Sequence, residues 1–62
     1  MMNDRFDEIM GQVMVENDME WYEVFDSDKF DEVENRIKAE FGDEVVNTKE
    51  YTDWVNEMYW DL

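Results

Sequence analysis

Ser27-Asp28-Lys29-Phe30-Asp31-Glu32-Val33-Glu34-Asn35-Arg36-Ile37-Lys38-Ala39-Glu40-Phe41-Gly42 holds the signals of one amphipathic helix from start to stop. Phe30, Val33, Ile37 and Phe41 recur at steps of three and four, the period that lines side chains along one helical face. Ser27 or Asp28 offers an oxygen to the unpaired amide hydrogens of the first turn. Lys38 near the far end suits the negative pole of the helix dipole, and Gly42 stands where a left-handed C-terminal residue is needed.

The same period continues on both sides. Toward the C-terminus, Asn47 with Glu50 three residues on forms a capping box, followed by Tyr51, Trp54, Val55 and Met58 on one face. Toward the N-terminus, Phe6, Ile9, Met10 and Val13 make a stripe with Asn3 or Asp4 as its cap, although Gly11 inside it costs about 1 kcal/mol relative to alanine. Residues 12–25 admit two readings. Met19, Tyr22 and Phe25 suit a short helix, whereas Gln12–Glu16 and Glu20–Phe25 are rich enough in valine and aromatics to pair as a hairpin around Asn17 and Asp18.

The helical reading is preferred, and the fold class is mainly α: a compact three- or four-helix single domain over residues 1–62. The alternative is a small α+β fold with a hairpin in residues 12–25. The core is expected from Phe6, Ile9, Val13, Phe25, Phe30, Val33, Ile37, Phe41, Tyr51, Trp54, Val55 and Met58.

Composition restricts what such a domain can do. An apolar share of 44% with ten aromatic residues is too high for a disordered acidic tail. Cysteine and histidine are absent, which removes disulfides, the usual zinc sites, thiol nucleophiles and imidazole bases. No apolar run reaches the roughly 18 residues of a membrane span, and Met1-Met2-Asn3-Asp4-Arg5 has no basic region leading into an apolar stretch. The expectation is a cytoplasmic protein with no membrane partner, in the host cell's cytoplasm if phage-encoded.

Catalysis is not expected. Paired carboxylates need a cleft that raises one pKa, and so small a domain seldom builds one. Asp26, Ser27, Asp28 and Asp31 resemble the start of a calcium loop. Counted from Asp26, however, the sixth position is Asp31 rather than glycine, and the twelfth is Ile37 rather than glutamate. No phosphate-binding glycine loop is present and Arg5, Lys29, Arg36, Lys38 and Lys49 are scattered, so neither a cofactor nor direct nucleic-acid binding is expected.

Nineteen acidic residues against five basic ones give a net charge of −14, beyond the magnitude of about 2 to 8 that solubility asks of a small domain. A basic protein surface is the natural complement. The charges concentrate in two cation-free stretches. One lies between Arg5 and Lys29 and contributes Glu16, Asp18, Glu20, Glu23, Asp26 and Asp28. The other runs from Glu50 onward, where Glu50, Asp53, Glu57 and Asp61 are spaced by three, four and four and share one helical stripe. Their separation of roughly 5 to 6 Å along the axis is of the same order as the phosphate step of a nucleic-acid strand.

Trp21, Tyr22, Tyr59 and Trp60 exceed what the helical stripes can bury. Some are therefore expected on the surface, with Tyr59 and Trp60 placed to cover the open end of the core. A marginal core leaves a homodimer open beside the monomer, and charge repulsion argues against it.

In its small size, extreme acidity, lack of cysteine, abundant aromatics and carboxylate stripes, the chain resembles the DNA-mimic proteins of phages and mobile elements. That group includes anti-CRISPR proteins, DNA-glycosylase inhibitors and restriction blockers. The resemblance is one of class and rests on no family motif. It implies an inhibitor that occupies the basic nucleic-acid-binding surface of a host defence or DNA-processing protein. The alternative is an acidic adaptor or antitoxin-like regulatory protein whose basic partner does not handle nucleic acid.

Overall fold

The computed structural model describes residues 2–61, and the side chains of residues 3–61. It is mainly α: α1 spans Met2–Asn17, α2 Trp21–Phe25, α3 Lys29–Phe41 and α4 Lys49–Asp61, with a 3-10 segment at Asp43–Asn47. No strand occurs among the described residues, so the hairpin alternative for residues 12–25 is not adopted.

Residues 12–25 form a helix, a tight turn and a second short helix. Asp18 has φ 53°, Met19 N–H donates to the Met14 carbonyl at 2.9 Å and Asp18 N–H to Val15 at 3.3 Å. This is the double bond pattern that closes helices around a left-handed residue, here with aspartate where glycine is usual. Aspartate tolerates that conformation better than bulkier residues do. The Asn17 side-chain amide adds a bond to the Val13 carbonyl at 2.9 Å.

Two hydroxyls organise the remaining corners. Ser27 donates to the Val24 carbonyl at 3.1 Å and accepts Lys29 N–H at 3.2 Å, so one side chain ends α2 and starts α3. Asp28 holds the N-cap position of α3 but makes no side-chain cap bond, and the hydroxyl of Ser27, one residue earlier, supplies it instead. Thr48 does the same for the 3-10 segment and α4, donating to Val45 at 2.6 Å and accepting Tyr51 N–H at 3.3 Å.

Two expected caps fall elsewhere. The start of α4 passes from Asn47 to Thr48, because Asn47 belongs to the 3-10 segment. Asn3 and Asp4 lie inside α1 rather than before it. Gly42 ends α3 with a positive φ of 98°, but its ψ of 156° is extended rather than left-handed helical, and its N–H bonds the Lys38 carbonyl at 2.8 Å.

The core gathers one face of each element: Phe6, Ile9, Met10 and Val13 from α1, Val24 from α2, Val33 and Ile37 from α3, Val45, then Tyr51 and Trp54 from α4. Phe6 is its centre, fully buried, with ring centroids 5.5 Å from Phe41, 5.8 Å from Tyr51 and 5.3 Å from Trp54. Phe25, Phe30, Val55 and Met58 are only partly buried, and Phe41 is exposed at 37%. A domain this small has too little interior to enclose all its aromatic rings.

Candidate functional site

The acidic stripe of α4 borders the core face rather than opposing it. At about 100° per residue, Glu50, Asp53, Glu57 and Asp61 fall within about 80° of one another, and Asp61 projects next to the core residue Trp54. Glu50, Glu57 and Asp61 are exposed. Asp53 is half-buried and meets Lys49 at 2.6 Å one turn earlier. That contact raises the Lys49 pKa through its hydrogen bond to Asp53. The lysine side chain is 84% exposed, and such surface pairs contribute only about 0 to 1 kcal/mol.

Of the earlier stretch, Asp18, Glu20, Glu23, Asp26 and Asp28 are exposed around α2 and its flanking turns. Glu23 accepts the Glu20 backbone N–H at 3.0 Å, which holds the entry of α2. Glu16 is engaged differently. Both of its oxygens meet the Arg36 guanidinium, at 3.0 and 2.5 Å, so it ties α1 to α3 and is not free for a partner in this conformation. Arg5 grips Glu40 in the same way, tying the N-terminal part of α1 to the end of α3. These hydrogen bonds hold the Glu16 and Glu40 carboxyls below the usual carboxylate range.

The two acidic groups, far apart in sequence, come together around Met14. One shallow depression is lined by Met14, Val15, Asp18, Met19, Glu20 and Glu23. Another, between α1, α2 and the end of α4, is lined by Met10, Met14, Trp21, Trp54 and Met58 with Asp7, Glu57 and Asp61. Met14 belongs to both, so carboxylates of the α1–α2 turn and of α4 flank a single methionine. Asp26 and Asp28, on the turn into α3, line neither. Spacing along the chain gives no access to this convergence, because it depends on how α2 folds back on α1.

The surface aromatics divide unequally. Trp21 packs partly against the core, whereas Tyr22 is 48%, Tyr59 64% and Trp60 82% exposed. Tyr59 and Trp60 meet each other edge to face at 6.2 Å and do not cover the end of the core as expected. Trp60 stands beside the stripe, sharing a shallow depression with Asp53, Glu57 and Asp61.

Among the described residues, no group of three or more acidic side chains is placed to hold a metal ion, which extends to the Asp26–Asp31 region. No helix of the described residues is long and apolar enough to cross a membrane. Burial, with the Glu34 carboxylate nearby, pushes the Tyr51 hydroxyl up to about 12. That residue belongs to the core. Comparison with protein-family models, with curated proteins and with solved structures found no match for the chain.

Proposed function

We propose that this protein acts by binding, as a DNA-mimic inhibitor that occupies the basic nucleic-acid-binding surface of a host defence or DNA-processing protein. The observation that supports this reading is the convergence about Met14 of carboxylates from stretches some forty residues apart: Asp18, Glu20 and Glu23 in one depression and Glu57 and Asp61 in the other. Exposed carboxylates one helical turn apart offer a cationic groove negative charge at roughly the interval of phosphates. Self-repulsion on this scale opposes folding, and a cationic partner relieves it.

Affinity capture from a bacterial lysate tests the proposal. Captured proteins are expected to be released both by salt and by excess duplex DNA, since screening and competition remove the same contacts. Reversal of Glu50, Asp53 and Glu57 to lysine is expected to abolish capture. Retention of the target at high salt and in excess DNA would sink the reading.

Trp60 and Tyr59 favour a second reading. A phosphate mimic has no need of exposed rings, whereas aromatic anchors beside acidic residues are common where one protein grips another. An adaptor that binds a basic protein outside nucleic-acid metabolism would be captured equally well, and duplex DNA would not displace it.

A further inference from the structure

We infer that the groove between α1, α2 and the C-terminal half of α4 is a docking site for a cationic amphipathic helix of a partner protein. The inference goes beyond DNA mimicry, because it concerns an apolar contact that a carboxylate surface neither requires nor explains.

The groove holds about 360 Å³. Its floor is Met10 and Trp54, each 4% exposed, and its walls are the partly buried Met14, Trp21 and Met58. Methionine is unbranched and polarisable, so a surface built from three of them reshapes around different apolar side chains. The indole of Trp54 is held in place by its bond to Asp7, a carboxylate that also lines the groove, which leaves a firm base beneath adaptable walls.

Charge complementarity selects the occupant. The exposed Glu57 and Asp61 rim the groove, no lysine or arginine lines it, and the whole chain carries −14. An apolar segment entering here is favoured if cations flank its apolar residues. A second copy of this chain would bring like charge to the rim. Secondary structure narrows the choice further. No strand edge exists among the described residues to pair with an extended peptide, whereas a helix satisfies its own backbone and presents apolar side chains at i, i+3, i+4 and i+7. A helix of about 14 residues spans about 21 Å, within the molecule's extents of 28 × 24 × 20 Å.

The test uses a synthetic 14-residue peptide with leucines at i, i+3, i+4 and i+7 and lysines elsewhere, added to protein carrying labelled methionine methyl groups. Met14 and Met58 methyl resonances are expected to shift on titration. Met14→Gln and Met58→Gln, each checked for retained helicity by circular dichroism, are expected to weaken binding about tenfold or more. Ala39→Gln, on the exposed face of α3 and outside both depressions that meet at Met14, is expected to leave it unchanged.

Four results overturn the inference. They are absence of binding, unchanged affinity in both glutamine variants, equal binding of a peptide with serines in place of the leucines, and methionine shifts that depend on protein concentration alone. The last assigns the groove to self-association. No DNA-binding protein takes part in this titration, so its failure and that of the lysate capture are read separately.

Discussion

Trp54 donates its indole N–H to Asp7 Oδ1 at 2.8 Å, joining α4 to α1 across 47 positions of the chain. The tryptophan is buried while the aspartate keeps its exposed side in water. A carboxylate that looks in the sequence like one more surface charge therefore satisfies a core residue. Hydrogen bonds to charged groups contribute about 1.5 to 3 kcal/mol. Asp7→Ala is expected to lower stability by about that amount, because it strands a buried donor, whereas Asp7→Asn keeps an acceptor and costs less. Urea unfolding of the two variants checks the order.

The two glycines respond oppositely to alanine although a Cβ meets nothing within 4 Å at either. Gly11 lies inside α1, so Gly11→Ala is expected to stabilise by about 0.5 to 1 kcal/mol. Gly42, at φ 98° and ψ 156°, occupies a backbone region open essentially to glycine alone, and Gly42→Ala is expected to cost about 1 to 3 kcal/mol. Thermal melts of the single variants read both signs.

Acid should act on the α1–α3 contacts in a defined window. Glu16 and Glu40 are lowered from the ordinary value of 4.5, chiefly by the hydrogen bonds from Arg36 and Arg5. Their contribution is complete above that value and is lost as pH falls through the lowered folded values. Glu16→Gln and Glu40→Gln are therefore expected to be less stable than the parent at neutral pH and to converge with it at the acid end. A constant gap at all pH values would show that the pairs do not titrate in this way.

Salt should raise stability rather than lower it. Screening weakens the few surface ion pairs, each of small value, but it weakens a net charge of −14 much more. Melting temperature is expected to rise between low and physiological ionic strength. Glu57→Lys, which relieves repulsion along α4, is expected to reduce that dependence.

Strong local patterning is what made α3 readable, since its apolar period, Ser27 and Gly42 all act within a few residues of one another. The start of α4 is displaced by one position because the Thr48 hydroxyl serves two elements at once, and nothing in the pattern of Asn47 and Glu50 discloses the 3-10 segment before it. Val24 and Val45 escaped the expected core because α2 and the 3-10 segment, at five residues each, are too short to show a period. Phe41 fell the other way. As the last residue of its helix it touches Phe6 while leaving much of its ring uncovered.

The acidic character of the surface was plain from composition, yet the roles of individual carboxylates were not. Glu16 and Asp53 meet cations in the structure, one of them twenty residues away and the other a single turn. The approach of α4's carboxylates to those of the α1–α2 turn depends on the left-handed Asp18. An aspartate reads from sequence as readily as a hairpin corner as a helix end, and only the packing of α2 against α1 decides between them.

Arg5 and Arg36 line a single depression on the α1–α3 side, while the Met14 surface faces away toward α2 and α4. Charge is therefore distributed as a moment as well as a sum. A molecule of this kind experiences a torque in the field of a cationic body and arrives already rotated, its uncompensated side leading.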